Sequence, residues 1–211
     1  MMLCTYLLLV VALLADTSLA SSETTPVWPR PSPTTTTPVS FAQKIACELE
    51  NKRIASCPTL AALKPEKNIT RSDGPSIISK AKEVSSCIGS PVCLEGRRLK
   101  YVTVGSIYLA EQLFSDSFDC ITKNNDHHQL FHDCGAKYLP NIPRQAVPDY
   151  MKNVVRCAAN GLDESTCSAE DRRAFFVFYY GTFEIFDNYN KSKFDSSINL
   201  TFNATSYDTL Y

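Results

Sequence analysis

All three histidines of the chain fall within one short stretch, at His127, His128 and His132. His128 and His132 are four apart, so on a helix they share a face and could hold a metal ion with Asp126 or Asp133. In a zinc protease motif the residue after the first histidine of such a pair is a glutamate that acts as general base. Gln129 takes that place here, and an amide cannot do a carboxylate's work. No Gly-x-Ser-x-Gly turn is present to present a serine nucleophile, and any triad would have to borrow the same histidines. The residues therefore assign no catalytic, cofactor or metal position, and a hydrolase built on His127, His128 and His132 ranks behind the non-enzymatic readings.

Cysteine supplies the firmer chemistry. Of nine cysteines, Cys4 sits in an apolar leader, which leaves Cys47, Cys57, Cys87, Cys93, Cys120, Cys134, Cys157 and Cys167. An even set in an oxidising compartment predicts a disulfide framework with none left over. Successive intervals of 9, 29, 5, 26, 13, 22 and 9 residues contain no Cys-x-x-Cys pair, which removes the main support for zinc-ribbon or thioredoxin-like readings. Four bridges are expected, and the spacing leaves their connectivity open. Four N-glycan acceptor motifs add to the picture: Asn68-Ile69-Thr70, Asn190-Lys191-Ser192, Asn199-Leu200-Thr201 and Asn203-Ala204-Thr205. None has proline in the middle, and at least two are expected to be occupied.

His132-Asp133-Cys134 is similar to the His-Asp pair of secreted phospholipases A2, in which the histidine activates water and the aspartate helps hold calcium. The likeness covers three residues. The paired cysteines before the histidine and the glycine-rich calcium loop are both missing, which argues against that chemistry.

The address of the chain follows from its start. Leu7 to Leu14 is an unbroken apolar run, too short to span a bilayer and the right length for the h-region of a signal peptide. Ser18-Leu19-Ala20 supplies small residues for cleavage after Ala20, although the n-region lacks Lys or Arg. Residues 1–20 are thus a signal peptide, and 21–39 a Ser/Thr/Pro-rich linker, unable to bury enough apolar surface to order itself and suited to O-glycans. Trp28 is its one out-of-place residue. A cysteine-rich domain follows over 40–189, then a polar, sequon-rich tail over 190–211, expected to be loosely ordered. The leader holds one acid, Asp16, and no base, so the mature chain carries 21 basic and 21 acidic side chains. That balance gives no long-range pull toward nucleic acid or an anionic membrane, and no second run is long enough for a membrane span. The basic pairs Lys52-Arg53, Arg97-Arg98 and Arg172-Arg173 read as solvated helix faces rather than as processing or sulfated-glycan sites.

The elements that position these residues are helical. Ser40 and Gln43 form a capping box, and Phe41, Ile45 and Leu49 recur at helical spacing, which predicts a helix over 41–55 with that stripe as its apolar face. Pro75 starts a second, with Ile77, Ile78, Ala81 and Val84, stopping near Gly89. Residues 99–123 read as one long helix, with Tyr101 to Val104 β-branched enough to leave a strand open. Further helices are expected from Asp126 to about Tyr138, from Pro148 to Asn160-Gly161, and from Ser168 through the aromatic run Phe175 to Phe186. On the last of these, Phe175, Tyr179, Phe183 and Phe186 make a wide stripe expected to pack in the core rather than line a pocket. Few glycines and no hairpin signal disfavour an all-β fold. The reading is an all-α, disulfide-stapled bundle of about six helices, without an internal repeat.

The leader, the cysteine-rich domain and segments such as Leu113-Phe114-Ser115-Asp116-Ser117-Phe118-Asp119-Cys120-Ile121-Thr122-Lys123 resemble the secreted eight-cysteine helical domains of unknown function found in nematodes and other invertebrates. That resemblance covers about residues 45–185 and implies a secreted helical fold without an assigned activity. Insect odorant-binding proteins are also small and stapled, but their three- and eight-residue cysteine gaps are absent here. The expected function is a secreted, non-enzymatic glycoprotein that binds an extracellular protein or glycan. A carrier of a small apolar ligand is the second reading, and the secreted hydrolase the third.

Overall fold

The computed structural model describes residues 40–58, 69–123, 127–138, 147–207 and 210–211. The leader, the Ser/Thr/Pro stretch with Trp28, and Asn68 lie outside the described residues. The fold is all-α, with seven α-helices and no strand among the described residues. These are α1 (Phe41–Ala55), α2 (Gly74–Ile88), α3 (Leu94–Leu113), α4 (Phe118–Lys123), α5 (His127–Tyr138), α6 (Val147–Asn160) and α7 (Ala169–Ser192).

Local chemistry sets most of their ends. Ser40 Oγ accepts the Gln43 N–H at 3.2 Å and starts α1. A 3-10 turn, Arg71–Asp73, leads into α2, with the Asp73 carboxylate accepting the Thr70 N–H at 2.8 Å and its hydroxyl at 2.7 Å. Gly89 ends α2 with φ +68°, a left-handed conformation that glycine adopts without a steric penalty. Ser168 and Asp171 make a full capping box at the start of α7, each side chain bonded to the other residue's backbone N–H.

The single long helix expected over 99–123 is two helices. It starts earlier, at Leu94, where Cys93 has the extended backbone of an N-cap, and it breaks after Leu113. Ser115 causes the break: its hydroxyl donates to the Gln112 carbonyl at 2.7 Å and accepts the Ser117 N–H at 3.2 Å. Such side-chain bonds offer the backbone an alternative to the helical ladder. Tyr101 to Val104 is helical, and Thr103 returns its hydroxyl to the Leu99 carbonyl at 2.8 Å.

The cysteines pair as Cys47–Cys93, Cys57–Cys87, Cys120–Cys167 and Cys134–Cys157. The second bridge nests inside the first and the fourth inside the third. Each nest ends where a long helix begins: Cys93 caps α3, and Cys167 directly precedes the cap of α7. The sequence shows no repeat because what recurs is the topology of the staples, not the residues between them. α3 packs along α7 and joins the two stapled halves, with α2 and α1 against α3, α4 and α6 against α7, and α5 against α6.

α1 has the expected bounds but turns its apolar stripe outward. Phe41, Ile45 and Leu49 mark the helix by their spacing but do not face the core: they are 79, 43 and 61 % exposed. The face turned inward carries Cys47, Glu50, Arg53 and Ile54. The Glu50 carboxylate accepts the N–H groups of Val92 and Cys93, each at 3.0 Å, just before α3. The Arg53 guanidinium donates to the Cys87 and Ile88 carbonyls at 2.6 and 2.7 Å, closing the C-terminal end of α2. Two covalent bonds and four charge-assisted hydrogen bonds thus outweigh the pull of three apolar side chains.

Candidate functional surface

α7 is the axis of the larger core. Phe175, Phe176, Val177, Phe178 and Tyr180 are buried, packed with Leu109, Leu113, Val155 and Ala158. The aromatic run therefore belongs to the core, but its register differs from the expected stripe. Tyr179 and Phe183 are only partly buried, and Phe186 is 44 % exposed, while Phe176 and Phe178 occupy the interior. Neighbours on both sides decide this: Phe131 of α5 stacks on Phe175 with ring centroids 5.8 Å apart, and Tyr211 lies 5.4 Å from Phe176.

The tail differs most from expectation. α7 ends where Ser192, buried, returns its hydroxyl to the Tyr189 carbonyl at 2.6 Å and receives Arg98 on both its hydroxyl and its carbonyl. An Asp195 turn follows, its carboxylate holding the Ser197 N–H and hydroxyl at 2.9 and 2.6 Å. From 199 the chain runs back across α3 and α7 as a strap, with a two-residue alternation as far as Asn203 and then a 3-10 turn, Ala204–Tyr207. Asn199, Thr201, Asn203 and Thr205 face solvent, whereas Leu200 and Phe202 pack inward, and Tyr207 is only 1 % exposed. Phe202 lies 5.5 Å from Tyr108 and 5.9 Å from Tyr207, and Tyr207 stacks on Tyr108 at 5.7 Å.

Two glycines let the strap and helices come this close. A Cβ at Gly181 would sit 2.7 Å from Leu109 Cδ2 and 3.4 Å from the Tyr207 ring; one at Gly105 would sit 2.4 Å from Ile185 Cδ1. Farther on, Arg156 donates to the Leu210 carbonyl, and the Tyr211 hydroxyl to Asn160 Oδ1 at 2.8 Å.

Beneath the strap lies a small polar network. The Tyr207 hydroxyl donates to Glu184 Oε2 at 2.5 Å, and Asn188 Nδ2 donates to the Tyr101 hydroxyl at 3.0 Å. Burial, and then the Glu184 carboxylate, raise the Tyr207 hydroxyl far above the ordinary tyrosine range. Burial, with the charge of Glu184 behind it, pushes Tyr180 up to about 12. The Tyr207 hydroxyl is thus a donor held in the neutral form, which suits a structural tie.

The other predicted residues separate from this surface. His128 and His132 stand on the outer face of α5, with His132 Nδ1 3.3 Å from an Asp133 oxygen that already accepts Gln129 Nε2 at 2.7 Å. No group of three metal-ligating side chains forms among the described residues. Each basic pair has one member tied into the fold: Arg53 as above, Arg98 on Ser192, and Arg172 on Glu164 at 2.7 Å. Asn190 sits half-buried in the last turn of α7, while Asn199 and Asn203 are exposed on the strap.

An open groove of about 580 Å³ lies where the Ser115–Ser117 turn meets the start of α7. Tyr108, Gln112, Asp116, Glu170, Asp171 and Arg173 line it. Asp116 pairs with Arg71. Hydrogen bonds from Ser117 first, then Ser168, hold the Asp171 carboxyl below the usual carboxylate range. The groove is polar, with carboxylate, hydroxyl and amide groups around one tyrosine. No family model matches the chain, and neither a curated protein nor a solved structure is similar enough to match it. No helix among the described residues is long and apolar enough to cross a membrane.

Proposed function

We propose that the chain is a secreted, non-enzymatic glycoprotein whose stapled helical domain binds an extracellular protein or glycan. One observation carries this reading: the aromatic residues that could have walled a ligand cavity are packed against one another, while the groove beside Tyr108 is polar. Phe175, Phe176 and Phe178 make ring contacts to Phe131, Tyr179, Tyr180 and Tyr211 at 4.5–5.8 Å. A carrier of small apolar molecules would instead need a concave apolar site enclosing most of its ligand. The polar groove beside Tyr108 fits hydroxyl-rich or peptide groups, whose hydrogen bonds its side chains can meet. The four disulfides fit an oxidising compartment, and the resemblance to secreted eight-cysteine helical domains agrees with it. Exposed His128 and His132 are the ordinary polar face of a helix.

Titration of the folded protein with an apolar fluorescent probe, such as an anilinonaphthalene sulfonate, tests the choice between binding module and carrier. No saturable one-to-one uptake is expected. Stoichiometric, saturable uptake displaced by a fatty acid would overturn the proposal in favour of a carrier.

A further inference from the structure

We infer that the fold sorts its own glycan acceptors: Asn199 and Asn203 are competent N-glycan sites in the folded chain, and Asn190 is closed by folding. This deepens the glycoprotein reading proposed above and rests on it. The strap's alternation puts Asn199 and Thr201 on the solvent side, because the two are two residues apart and the side chains alternate with the same period; Asn203 and Thr205 are exposed at the entry of the 3-10 turn Ala204–Tyr207. Leu200 falls on the inner side with Phe202, and Ala204 is partly buried.

Local hydrogen bonds then orient the reacting amide. Asn199 Oδ1 accepts the Thr201 N–H at 2.9 Å. Asn203 Oδ1 accepts both the Thr205 N–H at 3.2 Å and the Thr205 hydroxyl at 2.8 Å. In each case the carboxamide oxygen is occupied within the motif and the asparagine is exposed. Nδ2 is the atom that reacts: it forms a bond to the anomeric carbon of a lipid-pyrophosphate-linked oligosaccharide. The bond from that carbon to the pyrophosphate oxygen breaks, the lipid pyrophosphate leaves with the electron pair, and one amide proton passes to a base on the transferase.

Asn190-Lys191-Ser192 meets the same sequence rule in the opposite setting. It lies in the last helical turn of α7, and Asn190 is half-buried. Its hydroxyl residue, Ser192, is buried, donates to the Tyr189 carbonyl and accepts from Arg98 Nε at 3.1 Å, while Arg98 also holds the Ser192 carbonyl. The hydroxyl that a transferase must engage is therefore buried and committed to closing α7, whereas the Thr205 hydroxyl, bonded only within its own motif, is exposed. Occupancy at Asn190 requires that buried last turn of α7 to unwind, whereas the Asn199 motif is extended and the Asn203 motif involves only the exposed first residues of a short 3-10 turn.

The test uses unglycosylated protein with all four disulfides formed, incubated with a purified oligosaccharyltransferase and its lipid-pyrophosphate oligosaccharide. The same chain, reduced and unfolded, is run in parallel, and each motif is scored by peptide mass spectrometry. Folded protein is expected to be modified at Asn199 and Asn203, with occupancy at least several-fold above Asn190, and unfolding should remove that difference. An N199Q/N203Q variant should lose modification of the folded chain at these motifs. Equal modification of Asn190 in the folded chain, or refusal of Asn199 and Asn203 in either state, would overturn the inference. Export by cells is read separately, from the fraction in which the protein is found, so a failure of the extracellular reading is distinguishable from a failure of this one.

Discussion

Tyr207 is where the ordering of the tail can be tested hardest. Tyr207→Ala removes a fully buried ring that stacks on Tyr108 and Phe202 and a hydroxyl bonded to Glu184. Truncating a buried aromatic costs roughly 3–5 kcal/mol. The lost hydrogen bond adds about 1 kcal/mol, since half-buried Glu184 can turn to water in its place. Set against a net stability of about 5–15 kcal/mol, that is a large fraction. With a slope of about 2 kcal/mol per molar urea, the midpoint measured by far-ultraviolet circular dichroism should fall by roughly 2–3 M. If the strap detaches before the rest unfolds, the native state exposes more surface, and the slope falls along with protection of the amides of residues 199–207 from hydrogen exchange. Tyr207→Phe keeps the ring and should cost only about 1 kcal/mol. A Tyr207→Ala protein with the parent's midpoint, slope and amide protection would refute the packing of the strap.

The order Phe176→Ala, Phe183→Ala, Phe186→Ala should run from most to least damaging in thermal melts, with the first costing roughly 3–5 kcal/mol and the last within about 0.5 kcal/mol of the parent. Replacing both Cys134 and Cys157 by serine should cost about 3 kcal/mol, and both Cys120 and Cys167 about 4 kcal/mol, by urea unfolding, because the loops closed span 23 and 47 residues. In alkali, Tyr180 and Tyr207 keep their protons in the folded state above the pH at which unfolded tyrosine loses them. Their contribution is complete below about pH 10 and falls away as the pH rises toward about 12. Tyrosinate absorbance should accordingly rise in two stages, the second coinciding with loss of helix.

Much of this architecture is legible in the residues. Ser40 and Ser168 mark helix starts by cap chemistry that acts within a turn, and α1, α2, α5 and α6 follow from spacing and from Pro or Gly at their ends. The inward face of α1 is not legible, because Glu50 and Arg53 reach groups more than thirty positions away that only the fold brings near. The break after Leu113 is signalled by Ser115-Asp116-Ser117, yet apolar spacing alone runs straight through it. In Asn199-Leu200-Thr201-Phe202-Asn203 the period-two pattern is present, though hidden by a polar overall composition. Bridge connectivity stays open in sequence because loop-closure entropy changes only slowly with length and cannot select one pairing.

Native mass spectrometry of the protein purified from its own secretion tests the central claim most directly. The account predicts an oxidised chain beginning after Ala20, with four disulfides and N-glycans on the strap, carrying no apolar small molecule in stoichiometric amount. A one-to-one apolar ligand retained in the gas phase and released only on denaturation would contradict the filled core and the binding-module reading built on it.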